Sequence, residues 1–166
     1  MRLLLLLALL VGLGCAQLPA AVIRDVSYAS FPGHDPLATS LDIYEASDPS
    51  PRPVVIYVHG GGWWQGDKAA VGEKARFFNE AGYAFVSINY RLTPAVAFPT
   101  HAQDLARAVA WVHRHITDHG GDPERLILFG HSAGAHLAAL VATDRRYVNE
   151  QGLHLSAIEA VIVNDA

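Results

Sequence analysis

Residues 125–134, Arg-Leu-Ile-Leu-Phe-Gly-His-Ser-Ala-Gly, constrain what this chain can fold into more than any other stretch. Arg125 to Phe129 is a short run with large and β-branched side chains, bounded upstream by Gly120-Gly121-Asp122-Pro123, and it predicts a buried strand. Gly130-His131-Ser132-Ala133-Gly134 follows at once, and the small residues from Ala135 to Ala142 predict a helix. A serine at such a junction sits in a strained turn, and glycine on either side leaves room for strand and helix to approach. The hydroxyl then projects above the sheet edge, at the start of a helix whose dipole favours negative charge. Ser132 is therefore a candidate nucleophile, with a structural Gly-Ser turn as the plainer alternative.

A second motif lies upstream. Pro53 to Val58 is another continuous apolar run, and it leads into His59-Gly60-Gly61-Gly62-Trp63. Three glycines after a buried strand leave backbone N–H groups uncovered and able to point at a ligand. Acyl transfer needs such donors about 2.7–3.1 Å from the oxygen that becomes anionic. A flexible loop is the competing reading, but such a loop rarely begins with His and ends with two tryptophans.

With both motifs present, the chain resembles the α/β-hydrolase superfamily. More narrowly it resembles the esterase and acyl-hydrolase branch with a His-Gly-Gly-Gly loop: carboxylesterases, acetyl and feruloyl esterases, and arylformamidase-like enzymes. The resemblance covers roughly residues 50–145 and takes in Gly66-Asp67-Lys68, Asn89-Tyr90-Arg91-Leu92, Phe98-Pro99 and Gly121-Asp122-Pro123. It implies an α/β-hydrolase fold, a mostly parallel sheet with helices on both faces. It also implies hydrolysis of small carboxylic esters through an acyl-enzyme on Ser132; no nucleotide-binding glycine motif follows a strand, so no cofactor is expected. By the same resemblance, the backbone N–H groups of Gly61, Gly62 and Ala133 form the oxyanion hole.

The order of elements supports the fold independently. A helix is expected over Asp67–Ala81, with Val71, Ala75 and Phe78 on one face and Gly82 as its stop. Tyr83–Tyr90 predicts a strand. A long helix follows, capped by Thr100 with Gln103 three residues on, striped by Leu105, Ala108, Val109, Val112 and Ile116, and ended by Gly120. Strands alternating with helices predict a parallel sheet covered on both faces. Ile23–Ser30 and Ser40–Glu45 alternate as exposed antiparallel edge strands do, and Ile158–Val163 predicts a sixth strand. No repeat or second domain is visible, so the expected division is a signal peptide over 1–16 and a hydrolase domain over 17–166.

The signal-peptide reading rests on Met1-Arg2 followed by Leu3–Leu13, an uncharged run. Its length suits the ~7–15 residues of an export signal and falls short of the ~18 needed to span a bilayer. Gly14-Cys15-Ala16 places small residues for cleavage after Ala16, so a periplasmic or secreted location is expected; lipid anchoring at Cys15 is the alternative route. Cys15 is the only cysteine, which leaves the exported domain without a disulfide framework. A hydrophobic fraction of 51% with 17% charged residues suits a buried parallel sheet. A net charge of −4 and a pI near 6.1 argue against nucleic acid or an anionic membrane surface as partner. His115 and His119 are spaced to share a metal, but no acidic or cysteine ligand has matching spacing; favourable charge at a helix C-terminus is the preferred reading, and no metal site is assigned.

The remaining chemistry is harder to place. A serine needs a histidine base oriented by a carboxylate, and in α/β-hydrolases these follow the serine in the order acid, then base. After Ser132 come only His136 and His154, with Asp144, Glu150, Glu159 and Asp165. His136 is one helical turn on and looks back along the helix. His154 precedes the sixth strand, on the far side of the sheet. Asp165 ends that strand, where a minority of the superfamily carries its acid. His131 and His59 are expected to pack beside the loop and not to act as bases. The sequence therefore predicts an incomplete hydrolase through about strand six, with an uncovered sheet edge and little activity as it stands. The alternative is a non-catalytic binding module that lacks a triad. Trp63 and Trp64 wall a pocket or pack in a core, Pro94 to Phe98 are candidates for the pocket mouth, and Arg91 with Asp104 is a candidate structural ion pair.

Overall fold

The computed structural model describes residues 21–45 and 51–164; Leu3–Leu13, Cys15 and Asp165 lie outside that range. Six strands form one sheet: β1 Val22–Ser27, β2 Ser40–Tyr44, β3 Arg52–Val58, β4 Ala84–Ile88, β5 Gly121–His131 and β6 Ile158–Asn164, in the order β1-β2-β4-β3-β5-β6. β1, β2 and β4 pair antiparallel, whereas β4, β3, β5 and β6 run parallel. The α/β-hydrolase architecture expected from the sequence is therefore present. Among the described residues four α-helices accompany the sheet: α1 Lys74–Glu80, α2 Thr100–His115, α3 Ala133–Thr143 and α4 Arg145–Asn149.

Val54 to Val58 of β3 and Leu126 to Phe129 of β5 are unbroken runs without a charged residue because both faces of these strands are covered. On one face Val54, Ile56, Val58, Val86 and Ile88 pack with Leu105, Val109 and Val112 of α2 and Leu137 and Val141 of α3. On the other, Val55, Tyr57, Phe85 and Phe129 pack with Ala75 and Phe78 of α1 and with Val71 just before it. The register Val54–Val58 against Leu126–Gly130 aligns the ends of β3 and β5, so their following loops emerge side by side. β6 forms an edge of the described sheet, with Ile162 and Val163 exposed.

Several local expectations need correction. The helix expected over Asp67–Ala81 is confined to Lys74–Glu80, although Val71 and Ala75 are buried as expected. Asp67 Oδ1 accepts from Ala69 N at 2.7 Å, an Asx turn that competes with helix, and Gly72 adopts φ 54°. Thr100 does not cap α2. Pro99 holds the N-cap position, and its carbonyl accepts from Ala102 N and Gln103 N. β2 is not an exposed edge: Ser40 to Ile43 are buried between β1 and β4. Its alternation arises because the polar side chains are buried and satisfied, Ser40 by the Leu37 carbonyl and Asp42 by Lys68.

Candidate active site

β5 ends at His131 and α3 begins at Ala133, which leaves Ser132 alone in the turn at φ 50° and ψ −117°. A non-glycine residue in such a region costs about 1–3 kcal/mol, sustained only where the surroundings over-determine it. They do so here. Ser132 N donates to the Asn164 carbonyl at 2.9 Å, tying the turn to the end of β6, while its own carbonyl accepts from His136 N at 3.1 Å and starts the helix. A Cβ on Gly130 would collide with the backbone of Gly134 and Ala135, and one on Gly134 with the carbonyls of Val58 and His59. Both motif glycines are thus demanded by the close approach of strand and helix.

The loop after β3 lies directly against this turn. A Cβ on Gly60 would stand 2.7 Å from His131 Nδ1 and 3.1 Å from Ser132 Cβ. Gly61, Gly62 and Trp63 all have positive φ, at 116°, 61° and 65°. The Gly61 carbonyl accepts from Trp64 N and Gln65 N at 3.2 and 3.1 Å, which closes the loop on itself. Trp63 O accepts from Thr93 N at 2.8 Å, a second support from the segment after β4. Among the described residues, the N–H groups of Gly61, Gly62 and Ala133 donate to no protein acceptor. Ala133 is the first residue of α3, where N–H groups have no partner within the helix.

The histidines divide by contact. His59 is buried, stacks on Tyr90 with centroids 4.5 Å apart, and places Nδ1 2.8 Å from the Gly60 carbonyl. A carbonyl only accepts, so Nδ1 carries the proton, and burial lowers the pKa of the ring. Tyr90, whose hydroxyl pKa burial raises, donates to the His59 carbonyl at 3.1 Å. His59 thus braces its loop, and His131 packs against Gly60, both as expected. His136 meets Trp63 edge-on at 5.5 Å. His154 lies before β6, at the opposite end of the sheet from Ser132. Among the described residues, no histidine hydrogen-bonds Ser132.

A cavity of about 540 Å³ opens against the glycine loop and the first turn of α3, lined by Gly62, Trp63, Trp64 and His136 together with Thr93, Ala97, Phe98 and His101. Trp64 is 63% exposed and Phe98 64%, which excludes core packing as the role of Trp64 and places Phe98 at the mouth. His101 went unnoticed in the sequence. It is buried on α2, lies 3.3 Å from Thr93 Oγ1 through Nε2, and is held below its usual pKa by burial. Nothing in its local pattern marks it, since its place depends on Tyr90 and Thr93 packing beside it. The wall is held from behind by the ion pair expected of Arg91 and Asp104. Both Nε and Nη2 of Arg91 donate to the fully buried carboxylate at 2.8 Å.

Comparison with known proteins agrees with this geometry. Residues 41–162 match the BD-FAE family. Esterase LipQ of Mycobacterium tuberculosis is 43% identical over 106 residues, which cover 61% of this chain and 25% of LipQ. The probable carboxylic ester hydrolase LipM of the same organism is 38% identical over 122 residues, 71% of this chain and 27% of LipM. The crystal structure of esterase B from Lactobacillus rhamnosis superimposes with a TM-score of 0.70 at 28% identity, covering 90% of this chain and 46% of that one. The chain thus spans about a quarter of the curated relatives' length and under half of this solved neighbour. With its strand order, its Ser132 turn and the match over residues 41–162, the chain belongs to the BD-FAE family of α/β-hydrolase esterases.

Proposed function

We propose that this chain carries the nucleophile and oxyanion hole of a serine esterase acting on small carboxylic esters. The observation that carries the reading is the Ser132 backbone, held at φ 50° against a glycine loop whose Gly61 and Gly62 N–H groups donate to no acceptor among the described residues. In this reading Ser132 Oγ attacks the ester carbonyl, and the carbonyl oxygen gains charge as the tetrahedral intermediate forms. The N–H groups of Gly61, Gly62 and Ala133 stabilise that charge, supported by the N-terminus of α3. The intermediate collapses to an acyl-Ser132 ester and releases the alcohol; water then attacks the acyl-enzyme and releases the acid.

The base that takes the Ser132 proton and the carboxylate that orients it are assigned to residues outside the described ones. No metal or cofactor enters the scheme. The cavity beside Trp63, Trp64 and Phe98 receives an apolar group of the ester. Export through a signal over residues 1–16 is part of the same proposal, and a mature N-terminus at Gln17 would support it where an intact Met1 would refute it.

Hydrolysis of short-chain nitrophenyl esters by the full-length protein, beside Ser132→Ala, tests the activity. Turnover that vanishes with the serine is expected. A folded full-length protein that binds esters without turning them over would favour a non-catalytic module instead.

A further inference from the structure

Lys68 lies in the return leg of the glycine loop and is 5% exposed, an uncommon place for a lysine. Its Nζ donates to Asp25 Oδ1 and to Asp42 Oδ1, each at 2.6 Å. Asp42 is wholly buried on β2, while Asp25 reaches the ammonium from β1 by adopting φ 60° where the β1–β2 register shifts. Asp25 N in turn donates to Asp42 Oδ1 at 2.9 Å. The lysine backbone is fixed as firmly: its N–H donates to Asn89 Oδ1 and its carbonyl accepts from Ser87 Oγ, both at 2.7 Å. Burial pulls the ammonium pKa down, the two carboxylates hold it up, and the net direction is up, so the ammonium stays charged.

This anchor connects to the donor groups through contacts too close to slip. A Cβ on Gly66 would strike the His59 ring and the Gly60 carbonyl, and one on Gly61 would strike the Gln65 carbonyl. The outgoing leg, His59 to Gly62, therefore rests on the return leg, Gln65 to Lys68.

We propose that Lys68 is a positioning residue for the oxyanion hole: clamped between Asp25 and Asp42, it fixes the return leg and thereby the Gly61 and Gly62 N–H groups. The proposal rests on the esterase reading above. An anchored loop needs no reorganisation when charge develops, and that preorganisation is where oxyanion stabilisation originates.

The test compares full-length wild type with Lys68→Met and Asp25→Asn on a nitrophenyl ester. Reactive serine is titrated with an organophosphonate, so that turnover is expressed per competent site. A purely structural role would lower the number of sites and leave turnover per site unchanged. The clamp predicts that Lys68→Met lowers kcat per site about 10- to 100-fold with KM nearly constant, the scale of a misplacement near 1 Å. Affinity for a trifluoromethyl ketone, which forms a tetrahedral adduct on the serine, should weaken in parallel. If Lys68→Met fails to fold, Asp25→Asn decides the matter. Its side chain is 55% exposed and its loss leaves the Asp42 bond, so a folded variant with roughly fivefold lower kcat is expected. Turnover per site within twofold of wild type in the folded variants overturns the clamp while leaving the esterase reading intact. Absence of Ser132-dependent turnover in wild type overturns both.

Discussion

Gly134→Ala adds one methyl group where the structure has no room for it. The new Cβ would lie 2.5 Å from the His59 carbonyl oxygen and closer still to that of Val58. Ordinary contact begins near 3.4 Å, so β3 and α3 must part by about 1 Å. Both neighbours are backbone, and neither can rotate aside. The strand is held by its ladders to β4 and β5, so the displacement falls on the first turn of α3. Overpacking of this kind costs about 1–3 kcal/mol of stability. Ser132 directly precedes that turn, and a 1 Å misplacement there costs about 10² in rate. Gly152→Ala is the matched control. Its Cβ would meet nothing within 4 Å, and its φ of 76° costs about 1–2 kcal/mol in a turn remote from Ser132. Thermal unfolding and initial-rate kinetics on the full-length variants should therefore separate. Both lose stability, and only Gly134→Ala loses about two orders of magnitude in kcat/KM. Gly134→Ala turning over within twofold of wild type would refute the close-approach argument.

Other consequences are as direct. Asp104→Ala leaves Arg91 buried without its carboxylate and should destabilise by about 3–5 kcal/mol in denaturant titration; Arg107, partly exposed, can turn to solvent, and a loss below 1 kcal/mol would contradict the pairing. Trp64→Ala removes an exposed cavity wall, so KM for apolar esters should rise several-fold with unfolding nearly unchanged; an unaltered KM would remove Trp64 from the binding surface. His59 and His101 both have pKa values lowered by burial, so the unfolded chain takes up protons before the folded one as pH falls through 6.5. Stability contributed by their neutral forms is present above that pH and is lost on acidification toward the folded-state values. His101→Gln should make denaturant midpoints less dependent on pH between 7.5 and 5, and an unchanged dependence would exclude His101 as a source.

Local sequence carried the turn at Ser132 because strand, glycines and helix are contiguous there and each element agrees with its neighbours. The parallel strands were legible for a similar reason: burial on both faces leaves no polar position in Val54 to Val58. Where long-range contacts override local preference, the local pattern misleads. Asp67 to Gly72 buries Val71 as a helix would, but Lys68 is drawn out of a helical path by carboxylates on β1 and β2. Ser40–Glu45 alternates like an exposed edge because the ammonium partner of Asp42 comes from a loop beyond β3. Thr100 looked like a cap, yet the Pro99 carbonyl already starts the helix. His101 carried no signal at all, for its burial is created by residues 90 and 93 folding back over α2.

If the turn between β5 and α3 presents an activated serine to a preorganised set of backbone donors, Ser132 must react covalently with an acylating or phosphonylating probe. Reaction of the full-length protein with an organophosphonate, followed by peptide mass spectrometry, tests it most directly. A single stoichiometric adduct on Ser132, absent from Ser132→Ala, is expected. An adduct on another residue, or labelling that survives the substitution, would contradict it.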